Sequence, residues 1–206
     1  MAGMIHLLYN TVVVILFIFI LRLYKNDNPH TSKWKSQLLI GVISSVTIVL
    51  CMSSPFQIVP GYIFDLRTIP FLVGILYGGY LGGGLSALTL YLYRFYIGGG
   101  GVWNVWIVYS FILVLAFLII PFYEEGKRAK KKWTLTSLAL ITATLMLVNT
   151  NFRVGGLPSE EWFPGLLYLL LHGLMAWMTV HAMEGKGTDY RLFLWHWGLE
   201  QGKKGI

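Results

Sequence analysis

The sequence predicts an all-α, polytopic membrane bundle of six to seven helical segments that include a short glycine-rich hairpin. Three observations carry that prediction. Of 206 residues, 56% are hydrophobic and 12% charged, whereas soluble domains carry roughly 25% charged residues. Mean hydropathy is +0.64. The apolar residues also lie in runs of spanning length, with the charges in short blocks between them. So few polar side chains cannot build the solvated shell of a soluble domain. Composition excludes a disordered chain, a collagen-like repeat and a cytosolic enzyme.

Crossing the hydrocarbon core takes about 20 mostly apolar residues. Ile5 to Tyr24 is the first such run. Met1 to Met4 holds no basic side chain, and Arg22 and Lys25 follow the run. This is the pattern of an uncleaved span with its amino terminus outside, not of a signal peptide. Gln37 to Ser54 comes next, then Thr68 to Gly98, whose 31 residues are too long for one ordinary span and short for two. Val102 to Tyr123 and Pro164 to Met183 qualify plainly, the latter with a first-turn proline. Trp133 to Val148 is shorter and rich in Thr, yet uncharged. The economical division is one transmembrane domain over residues 1–183, with an added first helix at 5–24 and a core at 37–183, then a cytoplasmic tail or linker at 184–206. Within that tail, Tyr190 to Gln201 is amphipathic and suits the inner membrane surface.

The charges decide how the long glycine-rich segment runs. Arg22, Lys25, Lys33 and Lys35 mark one cytoplasmic loop, Lys127, Arg128, Lys130, Lys131 and Lys132 a second, and Lys186, Arg191, Lys203 and Lys204 the tail. All 13 cations fall inside only if Thr68 to Gly98 enters and returns, so the positive-inside rule favours a hairpin or a re-entrant pair. Gly74, Gly78 and Gly82 recur every four residues, as do Gly79 and Gly83, a spacing that lets helix backbones approach closely in lipid. Together with Pro70 these glycines form the expected structural hairpin, with the break placed at Gly82-Gly83-Gly84. The same placement of charge in loops argues against nucleic-acid binding despite a pI of about 9.5.

An ionisable group inside a membrane is costly and therefore a candidate for function. Arg94 is the one charged residue embedded in an apolar run, and Asp65 and Arg67 open the hairpin on the same, outer side. Two guanidinium forks there suit a carboxylate or another small anion. Against this stand a snorkelling Arg94 and a local Asp65–Arg67 loop pair. Gly99 and Gly100, within the run Gly98 to Gly101 that leads to Asn104, expose backbone N–H groups for an anion, or else form a simple turn. His172, mid-span, is expected to bond to a neighbouring helix. Cys51 is the lone cysteine, and no metal spacing, nucleophile motif or paired intramembrane carboxylate occurs, so no catalytic residue, metal or cofactor is expected.

The run Phe64-Asp65-Leu66-Arg67-Thr68-Ile69-Pro70, then Gly74 and Tyr77-Gly78-Gly79, then Tyr93-Arg94 and Gly98 to Gly101, resembles the LytS–YhcK type five-transmembrane receptor domain. The resemblance covers roughly Gln37 to Met183, and its specific part is Asp65 through Gly101. It implies a sensory input module of bacterial signalling proteins such as two-component systems, normally joined to a cytoplasmic histidine kinase or diguanylate cyclase domain. No kinase His box or GGDEF sequence precedes Ile206, so the chain is expected to be a non-enzymatic receptor, either part of a longer protein or acting through a partner. Some kinases of this family are thought to sense small carboxylates such as pyruvate. Around Val105 and Val108, where such members carry small polar or thiol groups, this sequence is apolar.

The expected function is therefore a membrane receptor that binds a small, anionic, extracytoplasmic ligand at Asp65, Arg67, Arg94, Gly99, Gly100 and Asn104. The alternative is a substrate-binding subunit of a vitamin-type transporter. The expected partners are the lipid bilayer, a carboxylate ligand, a kinase or cyclase domain or partner protein, and a second copy in a homodimer. The expected location is the bacterial plasma membrane, multi-pass, with the carboxyl terminus cytoplasmic.

Overall fold

The computed structural model describes residues 2–27, 32–59, 62–156 and 162–185. Pro60, the tail cations from Lys186 onward and the amphipathic stretch Tyr190 to Gln201 lie outside the described residues. Seven helices are described: α1 (Ala2–Asp27), α2 (Lys33–Ser53), α3 (Thr68–Leu76), α4 (Gly79–Ile97), α5 (Val102–Glu124), α6 (Arg128–Val154) and α7 (Trp162–Met183). Five of them, α1, α2, α5, α6 and α7, are long and apolar enough to cross a membrane. The Thr-rich segment that the sequence marks as the shortest span is the core of the 27-residue α6. The bundle is all-α apart from one antiparallel ribbon, β1 (Phe56–Val59) with β2 (Tyr62–Phe64), which the apolar pattern did not announce.

The helices turn large apolar side chains outward, Ile15 and Phe19 on α1 and Phe111, Val114 and Leu118 on α5 among them. Spaced at helical intervals, these form a lipid-facing exterior. The inward faces close on α3, every residue of which is buried. α3 touches each of the other six helices. At nine residues it rises only about 13 Å, less than half of a hydrocarbon core of about 30 Å. The chain reaches the start of this half-length helix through the ribbon, so Asp65 and Arg67 stand inside the bundle, 1% exposed each, rather than in an outer loop.

The hairpin turns earlier than the sequence suggested. α3 ends at Leu76, the turn is Tyr77-Gly78, and Gly79 takes φ of 60°, a left-handed conformation that glycine accepts without strain. Gly82, Gly83 and Gly84 then lie inside α4. Two of them serve contact instead of a bend. A Cβ on Gly82 would come 2.8 Å from the Gln37 carbonyl oxygen, and one on Gly41 would come 2.7 Å from the Gly82 Cα. A Cβ on Gly83 would meet Phe117 at 2.7 Å, and one on Gly74 would run into the Ser86 side chain. The backbones of α2, α3 and α4 meet directly, as small residues permit.

One end of the bundle is basic. Lys33 Nζ pairs with Glu124 at 3.1 Å, and Lys25 and Lys131 both reach Glu184, at 3.6 and 3.4 Å. These contacts bring the first loop, the Lys127–Lys132 block and the end of α7 to the same side, as an entering and returning hairpin requires.

The packing yields a stability test. Gly82→Ala should cost about 1–3 kcal/mol by overpacking. Gly84→Ala, whose Cβ meets nothing within 4 Å, should be neutral or gain up to about 1 kcal/mol of helix propensity. Melting of the two variants in detergent checks this.

Candidate functional site

The ribbon delivers Asp65 and Arg67 to the amino end of α3. Asp65 Oδ1 accepts the backbone N–H of Arg67 at 3.0 Å and its Nε at 2.7 Å. An aspartate bonding two residues ahead is a local turn device, and here it sets a carboxylate at the positive end of the α3 dipole. Arg67 Nη2 donates to the Ile63 carbonyl at 3.4 Å, and its guanidinium carbon stands 6.0 Å from the centre of the Tyr109 ring. Tyr109 shares a 2.8 Å hydroxyl bond with Thr68 and meets Phe71 edge-on. Arg67 is thus held by charge, backbone and ring, while its Nη1 and Asp65 Oδ2 are buried without a partner.

Arg94 is the contrast. It lies in the last turn of α4, fixed beside α2 by the 2.9 Å bond between the hydroxyls of Tyr93 and Ser53. Snorkelling would carry its guanidinium to the headgroups, yet the residue is 0% exposed. Its Nε, Nη1 and Nη2 are all buried without a protein partner, within electrostatic range of Arg67 and Asp65. Two cations and a single carboxylate therefore share one interior, with more donors than the protein uses. That arrangement is chemically suited to an anion, since a desolvated charge needs a counter-charge and hydrogen bonds.

His172 on α7 lies within electrostatic range of Asp65 and Arg67. Its bond stays within its own helix, Nδ1 to the Tyr168 carbonyl at 2.9 Å, rather than crossing to a neighbour. A carbonyl only accepts, so Nδ1 carries a proton, while Nε2 is buried and unpartnered. Tyr168 lies between His172 and Phe64, tilted against the first at 4.2 Å between ring centres and edge-on to the second at 5.4 Å. Tyr109 and Tyr168 were not legible as site residues, because sixteen per cent aromatics spread over every span give no signal to separate them.

Gly99, Gly100 and Asn104 do not join the arginines in any described contact. Gly99 and Gly100 are exposed turn residues, Gly99 with φ of 91°. Asn104 is buried but engaged with α6, its Nδ2 donating to Thr150 Oγ1 at 2.8 Å and the Met146 carbonyl at 3.4 Å. Among the described residues, no group of three His, Cys, Asp or Glu is placed to hold a metal ion.

The far end of the hairpin is tied to the end of α7. Tyr77 in the turn meets Tyr123 edge-on at 5.4 Å, and Lys25 Nζ lies 5.8 Å from the Tyr77 ring centre. The same Nζ donates to the Met183 carbonyl at 2.8 Å and pairs with Glu184. Lys131 joins Glu184 to the Tyr123 ring, 5.6 Å from its Nζ.

Breaking the buried pair from one side leaves a charge without its counter-ion. Asp65→Asn should destabilise the protein by about 3–5 kcal/mol, and the double change Asp65→Asn with Arg67→Met should recover part of that loss. Melting midpoints of the three proteins in one detergent measure it.

The motif from Asp65 to Gly101 and this geometry agree with the comparison to protein families. A family model described as 5TMR of 5TMR-LYT matches residues 17–153. No curated protein and no solved structure matches the chain. The family match spans more than half of the sequence, five helices fit membrane spans, and the hairpin motif lies inside the matched region; the chain belongs to the 5TMR-LYT family of five-transmembrane receptors.

Proposed function

We propose that this protein is a membrane sensor input module whose ligand is a small anion, of the carboxylate class, held between Arg94 and Arg67. One observation carries the reading: all three guanidinium nitrogens of the fully buried Arg94 are unpartnered, within electrostatic range of a second buried arginine. Asp65 neutralises Arg67 and fixes its fork, which leaves Arg94 as the principal counter-charge. Family membership supports the sensor role. The positive-inside rule assigns the basic end to the cytoplasm, so the ligand enters from the opposite, extracytoplasmic side.

In this reading α3 is the moving part. Its amino end forms the site and its carboxyl end leads into Tyr77, beside the Lys25–Glu184–Lys131 cluster that holds the end of α7. An anion that favours one seating of α3 over another by about 1–3 kcal/mol biases that cluster by the same amount. A kinase, cyclase or separate partner protein at the cytoplasmic face receives the change.

Two experiments test this. A panel of small carboxylates, screened by thermal stability of the detergent-purified chain, should contain a ligand that adds about 2.7 kcal/mol at 100 times its Kd. Arg94→Ala should insert and fold but lose that gain; a gain surviving in both Arg94→Ala and Arg67→Ala overturns the site. The second concerns transmission. With the stabilising carboxylate bound, hydrogen exchange over residues 180–184 should change in the unaltered chain and not in Glu184→Gln, while thermal stabilisation persists in both.

A further inference from the structure

At the basic end, on the outer surface between α6 and α7, cationic side chains converge on one histidine. Arg128 Nη2 lies 3.2 Å from His181 Nδ1 and 3.2 Å from the His181 carbonyl oxygen, and Lys132 Nζ lies 3.2 Å from the same Nδ1. One ring lone pair serves two cationic donors, so the Arg128 and Lys132 nitrogens sit no farther apart than twice that distance. Arg22 on α1 adds a third positive charge within electrostatic range of the His181 ring. Among the described residues none of these three cations has a carboxylate partner; Glu184 and Glu124, close in the fold, are engaged by Lys25, Lys131 and Lys33.

Local helix electrostatics sharpen the imbalance. Arg128 begins α6, where the dipole is already positive, and the first turn holds no acidic residue. Its N-cap, Lys127, provides no side-chain hydrogen bond to the free N–H groups of that turn. Among the described residues the fold thus gathers three cations near one histidine, beside an uncapped helix start, and pairs none of the three with a carboxylate.

The neighbouring side chains indicate where that anion comes from. Lys132 Nζ stands 4.5 Å from the Trp177 ring centre, and Trp177 meets Trp133 edge-on at 5.7 Å. Trp133 is 64% exposed and Trp177 39%, and Leu174 and Met178 continue the apolar surface along α7. Tryptophans at the edge of an apolar belt mark headgroup level. The cations therefore lie where a phospholipid phosphate lies, with an apolar face beneath for its acyl chains.

We infer that Arg128, Lys132, Arg22 and His181 form a binding site for the phosphate of an anionic phospholipid in the leaflet at the basic end of the bundle. Guanidinium and ammonium donors take the phosphate oxygens, and the lipid relieves the repulsion that the protein leaves uncompensated. Basic pockets between membrane helices on the cytoplasmic side are suited to such headgroups. The inference is independent of the ligand site at Arg94 and stands or falls apart from it.

The test uses the full chain in detergent micelles doped with phosphatidylglycerol or phosphatidylcholine, read by melting and by native mass spectrometry. Phosphatidylglycerol should raise the melting temperature and remain bound, while phosphatidylcholine should do neither. The double variant R128Q/K132Q should bind phosphatidylglycerol at least five-fold more weakly. The control K127Q/K130Q, which removes the same charge from the same loop, should bind like the unaltered chain. Equal loss in both double variants overturns the site in favour of diffuse loop charge. Equal effects of the two lipids overturn it outright, and stabilisation by inorganic phosphate to the same degree identifies a soluble anion site in place of a lipid one.

Discussion

The buried Asp65–Arg67 pair at the start of α3 is the constraint around which this bundle is arranged. A helix that begins inside a membrane protein leaves its first N–H groups far from water, where each unsatisfied group is costly. Here the Leu66 carbonyl takes the Ile69 N–H at 3.1 Å, while Asp65 holds the N–H of Arg67, the residue before the helix, and places negative charge at the positive helix end. Arg67 balances the carboxylate. The pair thereby permits a nine-residue helix at the centre of the bundle, and a half-length central helix needs every other helix to close around it.

That closure depends on absence of side chain as much as on its presence. α2 and α4 approach through Gly41 and Gly82, and α4 approaches α3 through Gly83 and Gly74. Any Cβ there would hold the backbones apart. Polar bonds then fix the far rims: Asn10 of α1 donates to the Ser54 carbonyl at 2.8 Å, Tyr91 of α4 bonds to Ser110 of α5 at 2.9 Å, and Asn104 joins α5 to α6. In lipid the hydrophobic effect does not drive helices together, so such close packing and polar ties carry the specificity.

The two ends of the molecule differ in how charge is treated. At the ribbon end charge is buried and only partly answered, with Arg94 unpartnered. At the basic end charge is networked and only partly covered, with Glu184 shared between Lys25 and Lys131. The short α3 runs from Arg67 at one of these ends toward Tyr77 at the other. In the proposed reading a sensor built this way needs no large motion, since a small reseating of α3 meets Tyr77 and the α7 end within a few residues.

The sequence by itself determined the five spans, the common side of the basic loops, the entering and returning hairpin and the receptor motif. Hydropathy and charge placement act residue by residue against a bilayer, so they are readable without knowing any partner. Tertiary structure decided the rest. It put the turn at Gly79 rather than at Gly82 to Gly84, with Gly82 packed against α2 and α3 and Gly83 against α3 and α5. It made α3 half-length, led into by a ribbon, and drew Asp65 and Arg67 inward. It buried Arg94 instead of letting it snorkel, left Gly99 and Gly100 on the surface, and engaged Asn104 with α6. Each of these outcomes depends on which side chains from distant helices meet, and one-dimensional spacing does not carry that information.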